Sequence, residues 1–146
     1  MKITTSTVLP APRERVFAAL TDPDVLRRAI PGCETLTATG PDAYQATMKV
    51  GVAGLKGTYA GKAAIRDKKD PESLTLAFEG KGAPGFVRGS AAIALTSDGD
   101  ATRVTSDADV QVGGVIAAVG SRLIEAAARK LADDFFRQLT QQLQNV

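Results

Sequence analysis

The sequence predicts an α+β domain in which a curved seven-stranded antiparallel sheet wraps around one long C-terminal helix, with two short helices after the first strand. Three observations predict it. From Cys33 onward, about eighty residues alternate polar and apolar side chains, the period of half-buried strands. From Val115 to about Gln144 the apolar residues recur instead at helical spacing. Between the first strand and the alternating region, Pro10 to Pro31 carries the punctuation of short helices. A sheet with one apolar face needs a cover, and a helix with one apolar stripe supplies it.

Lys2 to Leu9 is rich in Thr and β-branched residues and reads as a strand, which Pro10 and Pro12 end. Pro12 suits a first helical turn, with Val16, Phe17 and Leu20 on one face. Asp22-Pro23 reads as an N-cap followed by a first-turn proline, and Pro31-Gly32 ends that second helix near Ile30. Turns at Gly40-Pro41-Asp42, Asp70-Pro71-Glu72 and Ser97-Asp98-Gly99-Asp100 divide the meander that follows. Its apolar face runs Tyr44, Ala46, Met48, Val50; Tyr59, Gly61, Ala63, Ile65; Leu74, Leu76, Phe78; Val87, Gly89, Ala91, Ile93, Leu95; and Val104, Ser106, Ala108, Val110, Val112. The opposite face carries Lys49, Lys62, Arg66, Glu79, Arg103, Asp107 and Asp109. The closing helix is expected over 115–144, with Ile116, Gly120, Ile124, Ala127, Leu131, Phe135 and Leu139 inward. Pairs four apart on its outer side are Glu125 with Arg129, Lys130 with Asp134 and Asp133 with Arg137.

At 146 residues with 44% apolar content, the chain has the length of one domain, 1–146, with a real core. The formal charge of +2 is scattered by sign, without the basic stripe that a phosphate backbone requires, so nucleic acid is not an expected partner. A single cysteine excludes an internal disulfide, and the absence of histidine removes the common zinc, haem and copper ligand sets. These features, with no signal peptide or membrane span in the pattern, predict a cytoplasmic protein.

Gly80-x-Gly82-x-x-Gly85 has dinucleotide-binding spacing, but it joins two strands, contains Pro84 and opens no helix that could receive a pyrophosphate. It reads as a hairpin. Cys33 has no histidine to activate it and reads as packing. Asp107 and Asp109 share the outward face with Arg103 and form a solvated charge row. On the inward face, Ser106 and the phenols of Tyr44 and Tyr59 are the polar groups, with no Asp, Glu, Lys or Arg. No catalytic residue and no metal ligand is therefore assigned, because an enzyme of this architecture needs a titratable or metal-binding group there.

Small residues on that face, Gly61, Ala63, Gly89, Ala91 and Ala108, fit two arrangements: space between sheet and helix, or closer seating of the helix. The ends of the sheet differ. One gathers the polar turns, the other three glycine-rich loops, 51–55, 82–86 and 113–116. Val52, Leu55, Phe86 and Ile116, rimmed by Lys56, Lys81 and Arg88, would form an apolar tip with a cationic skirt if exposed, a portal or a contact for a membrane or partner. The alternative is that these loops fold inward and close that end.

Ile30-Pro31-Gly32-Cys33, preceded by Val16-Phe17 and Asp22-Pro23 and followed by the glycine-punctuated runs Val50 to Gly61 and Val112 to Gly120, resembles the carbon monoxide dehydrogenase G-subunit family of the helix-grip superfamily. The resemblance runs from about residue 1 to 143 and is most specific at Ile30 to Cys33, Val112 to Val115 and Gly120 to Leu123. It implies a non-catalytic accessory protein of a molybdenum hydroxylase, recruitment to the inner face of the membrane, and an isoprenoid quinone or lipid as ligand. Periodicity alone reaches only an apolar small molecule. The expected lining is Met48, Tyr59, Ile65, Phe78, Ala91, Ile124, Ala127 and Leu131, with the two phenols available to a quinone carbonyl. A small cyclase or hydrolase of the same fold, and an assembly factor with a filled core, are the competing expectations. Family members often carry an anchoring tail beyond the long helix. Here Gln141-Gln142 and Gln144-Asn145 close the sequence, which shifts the expected contact to the glycine loops or leaves a soluble carrier.

Overall fold

The structure, a computed structural model, describes residues 1–52 and 55–144. Ala53-Gly54 of the first glycine loop and Asn145-Val146 lie outside the described residues. Strand β1 (Lys2–Leu9) leads into helices α1 (Arg13–Leu20) and α2 (Pro23–Ala29). Strands β2 (Cys33–Gly40), β3 (Ala43–Val50), β4 (Gly57–Lys69), β5 (Ser73–Gly82), β6 (Gly85–Asp98) and β7 (Ala101–Gly113) follow, and helix α3 (Ser121–Gln144) closes the chain. All seven strands form one antiparallel sheet, β1-β7-β6-β5-β4-β3-β2, so each strand from β2 onward pairs with the next and β1 returns beside β7.

The alternation holds strand by strand. Met48 pairs with Tyr59, Leu76 with Ala91, and Ala91 with Ala108, while Lys49, Arg103 and Asp107 lie on the exposed face. A slip of one residue would have buried those charges, which fixes the register strongly. The short helices start as their sequence dictates: Pro12 is the N-cap of α1, and the Asp22 carboxylate accepts from the Asp24 backbone N–H at 2.9 Å.

The long helix begins later than the sequence predicts. Val115–Val119 is a separate 3-10 turn between Gly114 (φ 83°) and Gly120 (φ 94°), and α3 starts at Ser121. Two glycines in the left-handed region interrupt a right-handed helix, even though Ile116 and Gly120 keep its spacing. Two of the predicted ion pairs form, Arg129 with Glu125 at 3.0 Å and Lys130 with Asp134 at 3.2 Å. Arg137 instead reaches Asp134, at 2.8 Å and three residues away. Arg129 also donates to the Thr4 carbonyl of β1 at 2.9 Å, and Arg15 donates to the Leu143 carbonyl at 2.5 Å, tying the helix to the sheet edge and to α1.

Gly32, in the most specific segment of the resemblance, has φ 72°, and its carbonyl accepts from the Lys49 N–H at 2.8 Å. A Cβ there would collide with the Lys49 carbonyl oxygen. Gly32→Ala is therefore expected to cost about 1–3 kcal/mol in urea denaturation from left-handed strain alone, with the collision adding to it. An unchanged midpoint would mean that the turn is not held this tightly.

Side chains between sheet and helices bury in two clusters. Leu9, Val16, Phe17, Leu95, Val104 and Leu139 belong to the larger one, at the polar-turn end beneath α1 and α2, with Tyr44, Ile65, Leu74 and Leu143. Val50, Leu55, Tyr59, Ile116 and Ala127 form the smaller one at the glycine-loop end.

Candidate functional site

The inner face between the two clusters is the place where a ligand could sit. Ala46, Gly61, Ala63, Phe78, Gly80 and Gly89 are inward by register, uncharged and partly buried, and all six also line open grooves across the sheet. Phe78 belongs to neither cluster. Helix α3 meanwhile keeps its closest backbone approach for α2 and β1, at the sheet's edge.

The expected lining divides among these regions. Tyr59 and Ala127, with the half-buried Met48 and Leu131, gather at the glycine-loop end, whereas Ile65 lies in the larger cluster. Ala91 and Ile124 are buried at 6% and 4% exposure yet, like Phe78, are outside both clusters. Not every small residue on the face makes room. A Cβ at Gly61 would run into the Glu79 carbonyl of β5, and one at Gly89 into the Asp109 carbonyl of β7. Those glycines are demanded by close strand approach in a strongly coiled sheet, not by the need for space. The alanines keep the other explanation, and a Cβ added at Gly80 would meet only the Tyr59 Cβ, at 4.0 Å.

The two phenols stand far apart in role. Tyr59 Oη donates to the Leu55 carbonyl at 2.7 Å inside the protein, so its hydrogen is already committed to the glycine loop. It retains acceptor capacity, and burial raises its pKa. Tyr44 lies among the larger cluster; burial, then the Asp42 carboxylate, raise its pKa, with Lys68 opposing. A quinone carbonyl therefore has no free pair of phenolic donors at one place.

Thr102 is a buried polar residue that the sequence pattern should have included. It lies two residues before Val104 on the same face, is 0% exposed, and donates to the Ala11 carbonyl at 2.7 Å. Its proximity to the turn at residues 97–100 hid it. Cys33 is half-buried, with its thiol 3.4 Å from the Thr35 carbonyl. Burial pushes its pKa up, partly opposed by Arg27, which favours the unreactive thiol.

At the glycine-loop end, the expected exposed tip is corrected. Leu55 (8% exposed) and Ile116 (3%) point inward and pack with Val50, Tyr59 and Ala127, with Val52 half-buried against them. Burial of these apolar side chains favours the closed arrangement, and the Ile116 N–H donates to the Pro84 carbonyl at 2.9 Å to hold it. The exposed apolar residues are instead Val115 (75%) and Leu123 (55%), on either side of Gly120. Lys56 is exposed beside the loop. Lys81, Phe86 and Arg88 lie on the outer face of the sheet, with the Arg88 guanidinium 5.5 Å from the centre of the Phe86 ring.

Two open grooves, of about 670 and about 660 Å³, cross that outer face. They share Lys62, Glu79 and Arg88 and adjoin. Among the described residues, no group of three His, Cys, Asp or Glu side chains could hold a metal ion, and no helix is long and apolar enough to cross a membrane.

Residues 6–144 match the family model for the G subunit of carbon monoxide dehydrogenase, CoxG. The chain belongs to that family. The sequence matches no curated protein. Among solved structures, a conserved protein from Geobacillus kaustophilus is 33% identical, with a TM-score of 0.96 over 99% of this chain and 96% of that one. A START superfamily protein from Mycobacterium smegmatis aligns at a TM-score of 0.78 with 11% identity, over 99% and 97% of the two chains. Ara h 8.0201 aligns at 0.73 with 12% identity, over 100% and 99%. The latter two share the fold with this CoxG family member, the helix-grip arrangement of sheet and long helix.

Proposed function

We propose that this chain is a non-catalytic accessory protein of a carbon monoxide dehydrogenase-like molybdenum hydroxylase. In this reading it binds an apolar molecule, an isoprenoid quinone or lipid, between sheet and helix α3, and links the enzyme to the membrane. Family membership supports the partner. The observation that carries the ligand is the uncharged, half-buried belt of Ala46, Ala63, Phe78 and Gly80 between two packed clusters. Apolar burial contributes about 25 cal/mol per Å², offset by association costs, so an isoprenoid chain would supply most of the binding energy and polar groups would only orient its head.

The chemistry of the lining favours carriage over turnover. It offers no carboxylate, amine or imidazole to transfer a proton, Tyr59 is engaged with Leu55, and Cys33 favours its protonated form. Entry would pass the loops around Leu55 and Ile116, which must open to admit a chain. Lys56 beside them would attract an anionic lipid surface, so Lys56→Glu is expected to slow uptake from anionic vesicles and leave capacity unchanged.

Native mass spectrometry of protein purified without detergent, with organic extraction of the same sample, tests the ligand. A mass increment matched by one extracted quinone or lipid is the expected result. Protein that stays ligand-free after incubation with short-chain quinone and with lipid would replace the carrier by an assembly factor with a filled core.

A further inference from the structure

The outer face of the sheet has features that the interior ligand does not use. Two adjoining grooves cross the strands side by side, one from Thr35 and Thr37 on β2 to Arg88 on β6, the other from Thr39 on β2 to Asp109 and Gln111 on β7. Six strands spaced about 4.8 Å apart make this trough roughly 24 Å long, the span of about seven extended residues. Ala60, Ala64 and Ala77 line its floor, where methyl groups leave the depth open.

Its charge is unbalanced in a particular way. Glu79 is neutralised by Lys62 at 3.2 Å, and the Asp109 carboxylate lies 3.7 Å from the N-terminal amine. Arg66, Lys81 and Arg88 form no ion pair among the described residues; Arg88 instead donates to the Gln111 side-chain oxygen at 2.8 Å. Three cations therefore stand around the trough without carboxylate partners. Phe86, half-buried at the lip beneath Arg88, adds an apolar contact.

We propose that this trough is a docking surface for an acidic, extended segment of a partner protein. Carboxylates of the segment would pair with Lys81, Arg88 and Arg66, its backbone would lie over the alanine floor, and an apolar side chain would rest on Phe86. The length argues against a small anion, which would engage one end and leave the rest empty. A flat bilayer would touch the rim without reaching the floor. By strand register the charged and alanine side chains of the trough project from the opposite face to those of the ligand belt, although the belt residues Ala46, Gly61, Ala63, Phe78, Gly80 and Gly89 also line the grooves.

Alanine methyl NMR separates the faces, because the methyls of Ala60, Ala64 and Ala77 point outward and those of Ala91 and Ala108, which line neither groove, inward. The probe is a synthetic peptide of about seven residues, rich in glutamate with one phenylalanine, matched to the trough length. The three outward methyls are expected to shift and the inward ones to stay. Raising ionic strength from about 0.1 M to about 1 M shortens the screening length from ~10 Å to ~3 Å and should weaken binding strongly. Lys81→Glu with Arg88→Glu should weaken it at least about tenfold, whereas Lys130→Glu on α3 should leave it unchanged. No outward shift at millimolar peptide, shifts at Ala91 and Ala108, or equal binding of inorganic phosphate or anionic vesicles at the outward methyls would each overturn the proposal.

Discussion

Leu139→Ala is expected to lower the unfolding free energy by about 2–5 kcal/mol, read from urea denaturation with an unchanged slope. Leu139 is 0% exposed and packs in the cluster that contains Leu9, Val16, Leu95 and Val104. That cluster joins α1, α3 and the sheet at one end, so truncation leaves a cavity with walls from several elements and little freedom to collapse. Leu123 offers the control on the same helix. It is 55% exposed, and Leu123→Ala should change stability by no more than about 0.5 kcal/mol. Equal losses at the two positions would mean that α3 is not docked through the face described.

Ala91→Phe is expected to abolish uptake of an apolar ligand and, because Ala91 is 6% exposed, to cost up to about 1–3 kcal/mol of stability. Ala91 pairs with Leu76 and Ala108 on the inner face and belongs to neither packed cluster. In a filled core the added ring would cost about 1–3 kcal/mol; facing a space, it occupies the volume the ligand needs. Ala127 supplies the comparison. It is 2% exposed among Val50, Leu55, Tyr59 and Ile116, so Ala127→Phe should incur the overpacking cost as well as restrict the site. The pair separates the readings. If Ala91→Phe destabilises as much as Ala127→Phe and ligand stoichiometry stays at the wild-type level, the interior is filled and the protein is not a carrier.

Most of the architecture is written in the chain because it depends on local chemistry. Period-two alternation decides which side of each strand is buried, and turns such as Asp98-Gly99 set where strands end, so a register of seven strands follows from side-chain preference alone. Asp22-Pro23 acts within a few residues of itself, whereas Gly32 also answers to the Lys49 backbone of β3. What stayed hidden depends on tertiary geometry. Ile116 has helical spacing relative to Ile124, yet Gly114 and Gly120 turn it into the smaller cluster as the plug of a closed end. Leu55 was equally ambiguous, since an apolar loop residue next to lysines fits either an exposed tip or a folded-in cap until its neighbours are placed. Gly61 and Gly89 read as small side chains, but they answer to the carbonyls of adjacent strands. The outer trough also escaped the sequence, which places Lys81 and Arg88 on the rim of an apolar tip and Lys62 among the outward charges; strand pairing brings the three to one groove on the outer face.

The uncharged inner face bears directly on mechanism. Carriage requires selective burial and release, and here the groups that would have to move, Leu55 and Ile116, are held by the Tyr59 hydroxyl and the Pro84 carbonyl respectively. Each hydrogen bond is worth about 0.5–1.5 kcal/mol in net terms, and burial of the Leu55 and Ile116 side chains adds to the cost of opening.

The most direct measurement is intermolecular NOE spectroscopy between a short-chain isoprenoid quinone and protein labelled at its alanine, isoleucine and leucine methyls. Contacts from the isoprenoid chain to Ala63, Ala91, Ile124 and Leu131 are expected, with none to Ala60, Ala64 or Ala77 on the outer face. Contacts confined to the outer methyls, or no contacts at saturating quinone, would contradict carriage between sheet and helix.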